Sequence, residues 1–241
     1  MIPILPLCLA CLLAFVIPAG AEDTGEPPER LGPVPECSHH VLGRTWNERQ
    51  YYRLEYPQCG LEPLDEWVRV AAQAEADETR DTIEALRRDD DFADCPQEIL
   101  WGYGLYAPGE RYLSVVVYIW RYLGGAHGLT GSFTITFDRQ LSRQVLIGDL
   151  FTDWKRALEE LPGIMREVLY EEYPDCAEED VFQAYDTILH EQSTGFRLEP
   201  DGLVPMYPFG PPDKWTCGAF LIPRERLLEI GAKPEIWPEH P

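Results

Sequence analysis

An α+β fold, with an antiparallel sheet packed by helices, follows from three features of the chain. Residues 99–138 alternate with a period of two, the spacing of strands. Residues 63–88 and 154–173 place apolar side chains three and four apart, the spacing of a helix face. The strands are grouped and the helices are few and long, which favours segregated layers over an alternating β-α order.

The chain has 241 residues, and its first 21 form a separate object. Ile2–Pro18 is almost wholly apolar and uncharged, and Ala19-Gly20-Ala21 supplies a small-x-small cleavage site. This reads as a secretory signal peptide, with Glu22 starting the mature chain. A retained membrane anchor fits less well, because the run is short and broken by Pro3 and Pro6. Cys11 follows Leu9-Ala10 in a weak lipoprotein-like box, too near the start for an apolar region to precede it. Residues 22–36, rich in Glu, Pro and Gly, read as a disordered leader. Residues 37–241 read as one domain with no second apolar span, so no transmembrane segment is expected in the mature chain.

Within that domain Tyr51–Tyr56 alternates as a strand and stops at Pro57. Pro63–Arg88 reads as a helix: Leu64, Trp67, Val68 and Ala71 share a face that Ile83 and Leu86 resume. Asp89-Asp90-Asp91 ends it in a solvated cluster. Ile99–Tyr106 and Arg111–Tyr122 form a hairpin turning at Pro108-Gly109. Both faces of the return strand are substantially apolar. Ser132–Asp138 is a third strand. Gly148-Asp149-Leu150-Phe151 leads into a helix with Trp154, Ala157, Leu158 and Leu161 on one face. Pro162-Gly163 is expected to break it, and Met165, Val168 and Leu169 to continue a second segment to Tyr173. Val181–His190 reads as a further helix, Phe196–Met206 and Trp215–Ile222 as the last strands, and Arg224–Ile230 as a closing helix.

Acidic residues number 42 against 20 basic, a formal net charge of −22. Nucleic acid is excluded as a partner, because binding it needs a cationic face. A cationic partner would be steered toward this chain, although acidity also serves solubility alone. Five cysteines remain after cleavage: Cys37, Cys59, Cys95, Cys176 and Cys217. None forms a C-x-x-C motif. Export favours two disulfides and one spare thiol. The pairing stays open, with Cys37–Cys59 preferred because it would staple the N-terminal arm to the end of the first strand.

Gly124-Gly125-Ala126-His127-Gly128 ends the return strand and presents a histidine in a loop. His127 is a candidate general base. The plainer reading is that it hydrogen-bonds backbone in a tight turn, since no motif fixes a nucleophile beside it. Cys37-x-His39-His40 offers an incomplete metal set, so no metal and no cofactor are expected. Glu178-Glu179-Asp180 and Asp89-Asp90-Asp91 are runs of neighbouring carboxylates, which point apart and form solvated faces. Trp101 and Tyr103, with Tyr118, Trp120 and Tyr122 on the partner strand, could build a platform for a sugar or a protein. The alternative is that they pack as core beneath helices.

Several segments resemble one family of exported bacterial domains. They are Tyr56-Pro57-Gln58 before a helix, Leu113-Ser114-Val115, Tyr122–Gly128, Phe137-Asp138, Gly148–Phe151, Phe196–Leu203, and Cys217-Gly218 through Ile222-Pro223. The order is similar to the extracellular domain of the lysozyme-sensing anti-sigma factor RsiV, over about 51–228. The non-catalytic domains of some peptidoglycan deacetylases and a secreted mycobacterial antigen are similar too. The resemblance implies an α+β fold and no catalytic residue set. The cytoplasmic and transmembrane parts of the sensor have no counterpart here. The expectation is thus a periplasmic or secreted binding domain, not an enzyme, acting at the cell envelope. Its expected partner is a cationic lysozyme-type muramidase. A peptidoglycan glycan is the alternative, and an envelope hydrolase using His127 comes third.

Overall fold

The computed structural model describes residues 28–174, 189–190, 193–206 and 219–238. The expected signal peptide, the run Glu178-Glu179-Asp180, most of Val181–His190, and Cys176, Trp215 and Cys217 lie outside the described residues. The fold is α+β, as expected. A seven-stranded, mostly antiparallel sheet comprises β1 (Glu29–Leu31), β2 (Ser38–Asn47), β3 (Gln50–Gln58), β4 (Gln97–Tyr106), β5 (Tyr112–Tyr122), β6 (Leu129–Asp138) and β7 (Arg143–Gln144). Its order is β2-β3-β4-β5-β6-β7. β4 pairs in parallel with β3 over Gln97–Trp101 and with β1 over Gly104–Tyr106. A second sheet, in the order β10-β9-β8, comprises β8 (Phe196–Glu199), β9 (Gly202–Pro205) and β10 (Ile222–Pro223).

Helix α1 (Glu62–Leu86) covers one face of the main sheet. It starts where it does because the Asp65 carboxylate accepts hydrogen bonds from the Cys59 and Leu61 backbone amides, at 2.7 and 3.0 Å. Pro63, in the first turn, lacks an N–H that would go unused there. Its buried stripe is Leu64, Val68, Ala72, Ala76, Thr79 and Ile83. Of these, Leu64, Val68, Ala72 and Ala76 share a core with Leu54, Trp101, Leu113, Val115 and Ile135 of the sheet. Trp67, expected on that face, is 40% exposed and meets the Phe133 ring of the sheet edge-on.

The opposite face is covered at one end by the small sheet, with helix α2 (Trp154–Glu172) beyond it. Ser114 Oγ accepts from the Leu198 amide at 2.9 Å, and Thr136 Oγ1 donates to the Phe196 carbonyl at 3.2 Å. These bonds fasten β8 across β5 and β6. A short α3 (Arg224–Glu229) and the C-terminal turn close this second core, where Trp237 donates to the Glu199 carbonyl.

Four expectations are corrected. Pro162 does not break α2, which runs unbroken through it. A proline costs one hydrogen bond and crowds a carbonyl, but the buried stripe Ala157, Leu161, Ile164, Met165 and Leu169 holds the helix together. Leu158 is exposed and leaves the face assigned to it. Phe196–Met206 is a hairpin turning at Pro200-Asp201, not one strand. The leader does not stay outside the fold, since β1 lies within residues 22–36. Gly32, at φ +85°, makes the turn that docks β1, and a Cβ there would fall 1.9 Å from the Ala107 carbonyl oxygen. Strand β2 was not anticipated at all.

Candidate functional site

Hairpin register decides what the aromatic residues can do. Trp101 lies opposite Ile119 and Tyr103 opposite Val117, whereas Tyr118, Trp120 and Tyr122 lie opposite Gly102, Leu100 and Glu98. Directly paired residues share a sheet face. The five aromatics therefore divide between the two faces and cannot form one platform. Trp101 and Tyr103 are core beneath α1, 3% and 5% exposed. Tyr118, Trp120 and Tyr122 are half-buried on the other face.

That second face holds the most organised polar cluster of the open sheet. Glu98 is gripped from both sides: Trp120 Nε1 donates to one carboxylate oxygen at 2.9 Å, and the Tyr51 hydroxyl donates to the other. Burial pushes the Tyr51 phenol up to about 12, and the bond to Glu98 and its charge add to the shift. Tyr51 therefore stays a neutral donor at physiological pH. Further along the face Tyr118 enters a denser network. Its hydroxyl meets that of Tyr106 at 2.7 Å and accepts from Arg197 at 3.3 Å. Arg197 stacks over the Tyr106 ring at 4.2 Å and pairs with Glu199 at 2.6 Å. Tyr106 in turn donates to Glu29 of β1 at 2.5 Å. Burial raises both tyrosines above their ordinary range.

The glycine loop supports this cluster. Gly128 lies against the Trp120 indole, and a Cβ there would fall 2.2 Å from the ring. Gly124 has φ +90°, and its Cβ would sit 2.8 Å from that of Cys95. The Tyr122 hydroxyl donates to the Gly125 carbonyl at 2.8 Å. His127 itself is exposed, and its Nδ1 lies 3.2 Å from the adjacent Gly128 carbonyl oxygen. The expected backbone contact is present, but it is local and solvated, so it cannot pin the sheet. No acidic or nucleophilic side chain among the described residues hydrogen-bonds His127.

The cysteine pairing preferred from the sequence is present: Cys37 and Cys59 form a disulfide joining the start of β2 to the end of β3. This removes Cys37 from any metal set. His39 and His40 turn to different rings, Tyr103 and Tyr56. Among the described residues no group of His, Cys, Asp or Glu is arranged to hold a metal ion. Cys95 carries a free thiol. No helix among the described residues is long and apolar enough to cross a membrane.

The contribution of Glu98 and Tyr51 was missed from sequence. The available signal was that Tyr51 opens a strand whose alternate residues pack on α1, which puts its own side chain on the opposite face.

The chain matches no protein-family model and no curated protein. Solved structures that share its architecture include two DUF3298 family proteins. One is a DUF3298 family protein from Pseudomonas aeruginosa PAO1, 16% identical, covering 86% of this chain and 98% of its own, with a TM-score of 0.50. The other is a member of the same family from Bacteroides fragilis NCTC 9343, 14% identical, covering 84% and 97%, with a TM-score of 0.53. At these identities the likeness is one of fold. The chain thus has the α+β fold found in DUF3298 family proteins.

Proposed function

We propose that this chain is a secreted or periplasmic binding domain without enzymatic activity, acting at the cell envelope on a cationic muramidase of the lysozyme type. The observation that carries the reading is how the charge is disposed. Arginines are spent within the fold: Arg44 on Glu84, Arg69 on Glu66, Arg111 on Asp138, Arg156 on Glu160 and Arg226 on Glu167. Each such pair is locally neutral, so the excess of 42 acidic over 20 basic residues is carried by carboxylates outside these pairs. A field of that sign accelerates encounter with a basic protein. The sequence resemblance to a lysozyme-sensing domain supplies the partner class. The Cys37–Cys59 bridge agrees with an oxidising compartment.

A second reading rests on Trp120, Glu98 and Tyr51. An indole edge, a carboxylate and a neutral phenol on an open sheet face are the groups that stack on and hydrogen-bond a glycan. Peptidoglycan glycan is the ligand proposed on this reading.

Ionic strength separates the two. The association rate with a c-type lysozyme should fall steeply as salt rises, because the Debye length shrinks from about 30 Å at 0.01 M to about 10 Å at 0.1 M. Stacking on a neutral sugar should not respond. A salt-independent rate with lysozyme would remove the steering argument. Salt-independent binding of a soluble glycan fragment, lost in Trp120→Ala, would favour the second reading.

A further inference from the structure

Strand β2 is an edge ten residues long, and among the described residues nothing pairs with its outer side. Seven of its ten residues are exposed. Unpaired backbone amides and carbonyls along such an edge are a template for another strand. Natural edges are usually blunted by proline, by inward charges or by brevity. Here β2 contains no proline, and its only irregularity is the register shift at Thr45–Asn47, beside the turn into β3. At the opposite edge β7 pairs only with Phe137 and Asp138 of β6, and β6, unlike β2, has no exposed residue.

The charge on β2 says which strand can approach it. The chain carries −22, so its copies repel one another over most of their surface. Ser38–Asn47 contains no carboxylate. Its arginine, Arg44, is turned onto α1, bonded to Glu84 at 3.0 Å and stacked over Trp46 at 4.7 Å. The edge is therefore a place where two copies can meet without opposing acids.

We propose that two copies of this chain associate through β2, antiparallel about a two-fold axis, fusing their main sheets into one. A continuous sheet requires paired residues to share a face, which restricts the axis to a residue and its own copy. An axis through Leu42 would set Arg44 opposite His40 of the second copy. An axis through Gly43 sets Val41 opposite Thr45 and His40 opposite Trp46, with no like charges facing each other. It also places the residue without a side chain at the crossing. Val41 is 46% exposed in the single copy and becomes a cross-strand contact in the pair.

Sedimentation velocity of the mature chain over a concentration series tests this. Dimer should appear as concentration rises, and more of it at 0.5 M than at 0.02 M salt, because salt screens the repulsion between copies. That dependence is opposite in sign to the one expected with lysozyme. Val41→Glu brings a carboxylate to each side of the joint. It should abolish the dimer while leaving the Cys37–Cys59 disulfide intact and lowering the melting temperature only slightly, since Glu55 lies opposite Val41 in β3. A chain that stays monomeric at all concentrations and salts overturns the proposal. A dimer that persists in Val41→Glu also overturns it, by showing that another surface is used.

Discussion

Replacing Gly128 by alanine should loosen the Glu98 cluster without touching the hydrophobic core. The added methyl would sit 2.2 Å from one atom of the Trp120 ring and 2.3 Å from another, well inside contact distance. The obstacle is the far end of a side chain, so the indole can swing aside, and its bond to Glu98 is what breaks. A hydrogen bond to a charged group contributes about 1.5–3 kcal/mol. For a domain of this size each kcal/mol moves the melting temperature by about 2–4 °C. The expected loss is therefore about 3–12 °C, accompanied by a change in tryptophan emission as Trp120 becomes more exposed. Gly125 supplies the control, since a Cβ there meets nothing within 4 Å. Gly125→Ala should be nearly neutral in both readouts. Thermal unfolding and fluorescence of the two variants decide the matter. If Gly128→Ala melts and fluoresces like the parent, or if both variants lose stability equally, the packing of Gly128 on Trp120 is not what holds the cluster.

Three further outcomes follow from the structure. Removing the Cys37–Cys59 bridge, which closes a loop 22 residues apart in sequence, should cost about 3 kcal/mol, read as a lower denaturation midpoint in Cys37→Ser/Cys59→Ser. His127→Ala should change stability by no more than about 0.5 kcal/mol, since the ring is exposed and bonds only its neighbour; a larger loss in thermal melting would restore a pinning role. Stability should also fall on acidification. Burial works to raise the Asp138 carboxyl, but the bond from Arg111 and those from the Leu141 and Gln140 amides outweigh it and hold the group below the usual range. Arg143 does the same for Asp149. A lowered carboxyl stabilises the fold fully above its unfolded value, near 4, and loses that contribution as pH falls through the folded value. Asp138→Asn should flatten the dependence of the denaturation midpoint on pH below about 4, and an unaltered profile would contradict the assignment.

Much of the framework was legible because it rests on local periodicity. The alternation of Ile99–Tyr106 and Arg111–Tyr122 located β4 and β5 within a residue or two, and the three-four spacing of Leu64 and Val68 located α1. What failed depended on partners distant in the chain. β2 escaped notice because its sequence mixes His39, His40, Gly43 and Arg44 without alternation; pairing with β3, not burial, makes it a strand. β1 was invisible for the same reason: three exposed residues are ordered by the free edge of β4 and by the turn at Gly32. At Pro162 local chemistry argued for a break, and tertiary burial of the α2 stripe overrode it. The aromatic residues were found, but their grouping was not. That grouping depends on hairpin register, which pairs Trp101 with Ile119 and so puts it on the face opposite Trp120. Glu98 lies just before the strand read from the sequence, and only the fold brings Tyr51 and Trp120 onto it.

The central claim is a specific interface between this acidic chain and a basic muramidase, and equilibrium calorimetry at 0.15 M salt tests it most directly. The mature chain is titrated with a c-type lysozyme and, separately, with an unrelated protein of equal positive charge. At this ionic strength the Debye length is about 8 Å, so long-range attraction is largely screened and buried contacts must supply the affinity. The account predicts a saturable complex with lysozyme and none with the charge-matched protein. Equal binding of both would reduce the interaction to charge alone, and no binding of either would contradict the claim.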